Sequence, residues 1–139
     1  MASFNGKVVL PMLLLWFTVT MCAVGQLAPP KMRHIKITNE LGGDLALTFH
    51  CKSPKRDYGV QVLGPHASSQ FSFKPNIWVV DTEVSCNFQW PNESHDFVVF
   101  RLQRDVEQCI DCFYNILPNV VCRFDDDTGA YDDCLPYYN

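Results

Sequence analysis

The stretch Asp44-Leu45-Ala46-Leu47-Thr48-Phe49-His50-Cys51 places Leu45, Leu47, Phe49 and Cys51 on one side of an extended chain, with polar or small residues on the other. That period of two belongs to a half-buried β-strand. Val84-Ser85-Cys86-Asn87-Phe88-Gln89-Trp90 repeats it, with Val84, Cys86, Phe88 and Trp90 sharing a face. His34-Ile35-Lys36-Ile37-Thr38 and Phe71-Ser72-Phe73 are shorter copies of the same alternation. Asp96 to Arg101 is a denser apolar run, and Cys112 to Ile116 and Val120 to Phe124 follow it. Gly, Pro, Asn and Asp separate these runs, Leu41-Gly42-Gly43 supplying the first turn. No window keeps a helical period for three turns. The pattern predicts an all-β fold: a small, disulfide-stapled antiparallel β-sandwich of seven to eight short strands.

The cysteines fit that scale. The chain has 139 residues and seven cysteines. Lys7 precedes an apolar run from Val8 to Val19 that ends in the small-residue pattern Ala23-Val24-Gly25, the layout of a secretory signal peptide. Residues 1–25 are therefore expected to be removed, leaving one domain over residues 26–139. The apolar run is too short for a comfortable membrane span, so no membrane insertion of the mature protein is expected. Cys22 leaves with the signal, and the remaining Cys51, Cys86, Cys109, Cys112, Cys122 and Cys134 form the even set of a secreted disulfide framework. Cys51 and Cys86 lie in register with the apolar faces of their strands, which makes them partners. The pairing of the late four stays open. Zinc on those four thiolates is the rival reading, and an oxidising secretory route competes against it.

Composition excludes other classes. Hydrophobic residues make up 47% and charged residues 19%, which is enough apolar matter for a packed core and excludes whole-chain disorder. The net charge of −4 lacks the basic excess that phosphate neutralisation requires, so nucleic acid is not an expected partner. His34, His50, His66 and His95 could in principle serve acid–base catalysis, but none lies in a catalytic motif and the protein is expected not to be an enzyme. Asp125-Asp126-Asp127-Thr128-Gly129 with Asp132-Asp133 lacks the third ligand and the closing Glu of an EF-hand loop. No metal or cofactor is expected. Asn92-Glu93-Ser94, beside Pro91 in a turn between two strands, is an N-glycosylation sequon, so a glycan is expected on Asn92.

What remains for function is the loops. Residues 51–59 form the most charged connection, with Lys52, Lys55 and Arg56 beside Asp57 around Pro54 in an otherwise acidic chain. Lys52, Lys55, Arg56 and Asp57 are the contact candidates, and residues 91–96 are a second candidate that a glycan would partly cover.

The ordered set His50-Cys51-Lys52-Ser53, Asp57-Tyr58-Gly59, Asn76-Ile77-Trp78, Cys86-Asn87-Phe88-Gln89-Trp90, Cys122-Arg123-Phe124 and Tyr131-Asp132-Asp133-Cys134 resembles the plant self-incompatibility S1 family, first defined by stigma proteins of poppy. The resemblance spans nearly all of residues 26–139. It implies a secreted extracellular ligand without enzymatic activity, expected as a monomer. By that resemblance it would be a pistil determinant that meets a pollen plasma-membrane receptor and triggers calcium-dependent rejection of self pollen. A secreted defence protein, either a hydrolase inhibitor or a carbohydrate-binding module, is the alternative for the same stable scaffold.

Overall fold

A computed structural model describes residues 31–75 and 82–137. The expected signal peptide and Asn76-Ile77-Trp78 lie outside the described residues. Among the described residues the chain forms nine strands and one short helix: β1 (Arg33–Asn39), β2 (Leu47–Ser53), β3 (Arg56–Leu63), β4 (Ser68–Phe73), β5 (Glu83–Trp90), β6 (Glu93–Arg101), α1 (Leu102–Asp105), β7 (Asp111–Ile116), β8 (Val120–Asp125) and β9 (Ala130–Pro136). They make two sheets, one in the order β4-β1-β7-β8-β9 and the other in the order β3-β2-β5-β6. No helix among the described residues is long and apolar enough to cross a membrane.

The sandwich matches the fold read from the alternation, with two differences of detail. There are nine strands because β3 and β9 are edge strands, most of whose residues face solvent, so neither carries an inward apolar period. The larger sheet is also not wholly antiparallel: β1 runs parallel to β7, with His34 opposite Asp111 and Asn39 opposite Ile116. A parallel neighbour needs a crossover connection, here the whole of β2 to α1, and side-chain periodicity says nothing about strand direction.

The core lies between the sheets. Ile35, Ile37, Leu47, Phe49, Val84, Phe88, Phe97, Val99, Phe100, Ile116 and Val121 are almost completely buried. Cys51 and Cys86 face one another directly across β2 and β5, and their disulfide is sealed inside. The late cysteines pair as Cys109–Cys112 and as Cys122–Cys134, the latter across β8 and β9. In the chain-entropy account the 35-residue Cys51–Cys86 loop contributes about 4 kcal/mol and the 12-residue Cys122–Cys134 loop about 3 kcal/mol.

Polar side chains close both ends of β1. Its inward face reads Arg33, Ile35, Ile37, Asn39, and both polar residues are buried. The Asn39 amide nitrogen donates toward the carbonyls of Leu45 (2.8 Å), Leu63 (3.0 Å) and Gly64 (3.1 Å), and its Oδ1 accepts the Leu41 N–H. That one side chain ties the β1–β2 loop to the β3–β4 corner. At the opposite end Arg33 donates to the carbonyls of Lys31 and Val106.

A second polar cluster joins the sheets. Asp105 in α1 is fully buried, and its carboxylate accepts bonds from the Arg101 backbone N–H (2.8 Å), from Arg104 and from Arg123 of β8 (2.9 Å). Arg123 reaches on to Asp133 of β9 at 2.8 Å. Beside it β6 carries a bulge in which Val99 has no opposite number on β5. The Tyr114 hydroxyl from β7 donates to the Val99 carbonyl, and Arg104 donates to the Val98 carbonyl at 2.7 Å. The bulge thus frees a carbonyl that the other sheet uses.

Two outcomes follow for stability. Asp105→Ala removes the buried carboxylate that Arg104 and Arg123 share and should lower the unfolding free energy by about 3 to 5 kcal/mol in guanidinium titrations. Burial pushes the Tyr114 hydroxyl up to about 12, so the folded protein keeps this proton where the unfolded chain, near 10, has lost it. Its contribution is whole below pH 10 and falls as pH rises toward 12, by about 1.4 kcal/mol per pH unit, so Tyr114→Phe should flatten that part of an alkaline stability profile.

Candidate recognition surface

The β2–β3 hairpin is built around one bulge. His50 stands opposite Val60 and Lys52 opposite Asp57, so Tyr58 and Gly59 together face Cys51. Gly59 takes φ +80°, a backbone region that L side chains avoid, which is why glycine stands there. The Asp57 carboxylate accepts the Gly59 N–H at 2.8 Å and pairs with His50 Nε2 at 2.6 Å. The Gly59 N–H, then His50, hold the Asp57 carboxyl below its ordinary range.

The four contact candidates therefore divide. Asp57 spends its carboxylate inside the hairpin, as the support of the bulge. Lys52 follows the buried Cys51 and so stands on the outer face of the smaller sheet, across from Ser85. Lys55 sits exposed in the two-residue turn with Pro54, and the Arg56 guanidinium lies over the Tyr58 ring, 4.9 Å from its centre. Val60 and Val62 extend the outer face along edge strand β3, at 64% and 66% exposure, an aliphatic strip that the alternation pattern did not single out. Its sequence signal was the Val-x-Val spacing after a glycine.

The second candidate lies at the other end of the sheet. Pro91 and Asn92 form the β5–β6 turn, with Asn92 exposed at φ +65°. Because β5 runs antiparallel to β2, this turn stands a full strand length, roughly 20 Å, from Pro54 and Lys55. Any group on Asn92 is remote from the cationic turn. His95, next to it, is stacked on Tyr137 at 4.6 Å and packed against Trp90 at 5.1 Å, while the Tyr137 hydroxyl donates to the Leu117 carbonyl at 2.6 Å. Burial raises the Tyr137 hydroxyl well above its ordinary value.

The remaining residues with catalytic or ligating chemistry are dispersed. His34 of β1 bonds Ser72 of β4 (2.6 Å), His66 bonds Glu40 between two loops (2.9 Å), and His95 bonds Glu93 within β6 (2.8 Å). Asp125 accepts the Asp127 N–H inside its own turn, and Asp133 is committed to Arg123. Among the described residues no group of three His, Cys, Asp or Glu side chains is placed to hold a metal.

Comparison with known proteins agrees with this architecture. The family model described as plant self-incompatibility protein S1 matches residues 34–137. S-protein homolog 2 of Arabidopsis thaliana is 39% identical over 114 residues, covering 78% of this chain and 70% of the homolog. S-protein homolog 3 of the same plant is 36% identical over 107 residues, covering 74% and 71%. A solved structure of self-incompatibility protein homologues, described as a widespread family of small, highly stable, secreted proteins from plants, superposes with TM-score 0.54 at 18% identity. It covers 78% of this chain and 96% of that one.

The Asp57 assignment gives a direct test. Its lowered value means that its contribution to the hairpin is present above the ordinary carboxylate pKa, about 3.9, and is lost as pH falls through the lower folded value. The Gly59 amide proton in NMR spectra should report that titration, with a midpoint below 3.9, and Asp57→Asn should abolish it.

Proposed function

Because the chain belongs to the plant self-incompatibility protein S1 family, we propose that it is a secreted recognition ligand of the pistil that engages a pollen plasma-membrane receptor. Family membership places it among secreted proteins. The finer reading has residues 1–25 as a cleaved signal peptide, Asn92 as a glycan site, no catalytic activity, and a receptor contact followed by calcium-dependent arrest of self pollen.

The observation that carries this reading is the exposed cationic end of the β2–β3 hairpin, Lys55 and Arg56 at a proline-restricted turn on a disulfide-stapled sandwich of net negative charge. A core of interlocked aromatic and branched side chains tolerates little change, since volume changes there typically cost about 1 to 5 kcal/mol. Solvent-facing turns carry no such penalty, and a restricted turn loses less entropy when a partner orders it. Recognition that separates self from non-self therefore falls on the turns.

Applied to growing pollen, the protein recovered from a secretion host should arrest tubes of matched genotype and spare unmatched ones. Lys55→Glu with Arg56→Glu should remove the arrest while leaving circular dichroism and melting temperature nearly unchanged. Equal growth of both pollens under the unaltered protein sinks the reading, and full activity of the double variant moves the contact elsewhere.

A further inference from the structure

The cationic turn overhangs a depression that receptor contact does not require. It lies at the end of the sandwich where β2 turns into β3, β4 ends and β5 begins, and it has a volume of about 260 Å³. Its floor is apolar: Tyr58 from β3, Phe73 from β4 and Val84 from β5. Phe73 meets Phe100 edge-on at 5.0 Å and Tyr58 packs on Phe71 at 4.3 Å, so the floor is continuous with the core and held rigid by it. The floor draws on both sheets, Phe73 from one and Tyr58 and Val84 from the other.

Among the described residues the rim carries more cations than acids. Among the described residues Lys55, Arg56 and Lys74 border the hollow, and the acid beside them, Glu83, is paired with Arg101 at 3.4 Å. Lys55 and Lys74 make no ion pair among the described residues. Three cations around one apolar hollow, in a chain of net charge −4, repel one another and leave a positive potential that an anion relieves. Small-molecule sites have this form, a concave apolar wall with a few polar groups that orient the ligand.

We propose that this depression binds a small amphiphilic anion, with a carboxylate or sulfonate head between Lys55 and Lys74 and an aliphatic or aryl body against Tyr58 and Phe73. A neutral apolar molecule would leave the cations uncompensated. Inorganic phosphate would leave the floor wet. A bilayer surface needs a flat apolar face, whereas this floor is recessed below its charged rim. The site is independent of the receptor reading, because it stands or falls on binding to the isolated protein.

The experiment is calorimetric titration of the secreted protein with decanoate and with anilinonaphthalene sulfonate, using decanol as the neutral control. Saturable binding at one molecule per chain is expected for both anions, with none for decanol. Lys55→Glu with Lys74→Glu should weaken binding by about tenfold or more, and Lys55→Arg with Lys74→Arg should retain it, all with unchanged melting temperature. Sedimentation with phosphatidylglycerol vesicles separates a free anion from a lipid surface. Absent or unsaturable binding of the anions, equal binding of decanol, unaltered binding in the charge-reversed variant, or binding to vesicles alone would each overturn the proposal.

Discussion

One carboxylate sealed from water decides how the two sheets sit on each other. Asp105 is fully buried between arginines that come from its own short helix and from β8 of the opposite sheet, and the same carboxylate holds the backbone where β6 ends. Apolar burial resists separation of the sheets but names no partner, because it is non-directional. A charge with fixed partners on both sides permits a single alignment. The bulge at Val99 belongs to the same arrangement: a carbonyl released from ladder pairing is taken by Tyr114 of the facing sheet. The disulfides act differently, since each links strands within one sheet or residues close in sequence. They strengthen the layers, and the buried ions set how the layers meet.

Those ionic residues were not legible in the sequence, and the reason is physical. Alternation reports which side of a strand meets the core only when the inward residues are apolar. It found Leu47, Phe49 and Cys51 on β2 and Val84 to Trp90 on β5, because both are central strands of their sheet. It stopped at Ile35 and Ile37 on β1 and passed over Arg33 and Asn39, which occupy the same inward face but resemble surface residues by type. Edge strands β3 and β9 escaped for the converse reason, being mostly exposed and carrying no inward apolar period. The cationic turn was visible as a cluster of charges, whereas Lys74, remote in sequence, reaches it only through the fold.

The geometry also separates the two exposed turns of the smaller sheet. The turn at Pro54 and Lys55 and the turn at Pro91 and Asn92 stand at opposite ends of the smaller sheet, and β5 spans the distance between them. Each end is braced on its own terms, one by the Asp57–Gly59 bulge and the other by the stack of Trp90, His95 and Tyr137. Change at one turn therefore leaves the other in place, which allows one end to be modified while the other varies in charge.

The parallel pairing of β1 with β7 has a bearing on how the chain acquires its shape as it is made. Antiparallel hairpins such as β2–β3 and β5–β6 close through two-residue turns and can form as soon as both arms emerge. β1 cannot be completed in this way, because its second neighbour is made only after every strand of the smaller sheet and α1. At translation rates of about 5 to 20 residues per second, that interval is on the order of seconds. Throughout it the edge of β1 that faces β7, where the His34 N–H later bonds the Ile110 carbonyl, has open backbone hydrogen-bonding groups, a template for pairing with another chain. Pairings of high sequence separation are also slow to form. The nascent protein thus depends on its last third to close an edge near its start, and a chain truncated before Asp111 would leave that edge exposed to self-association.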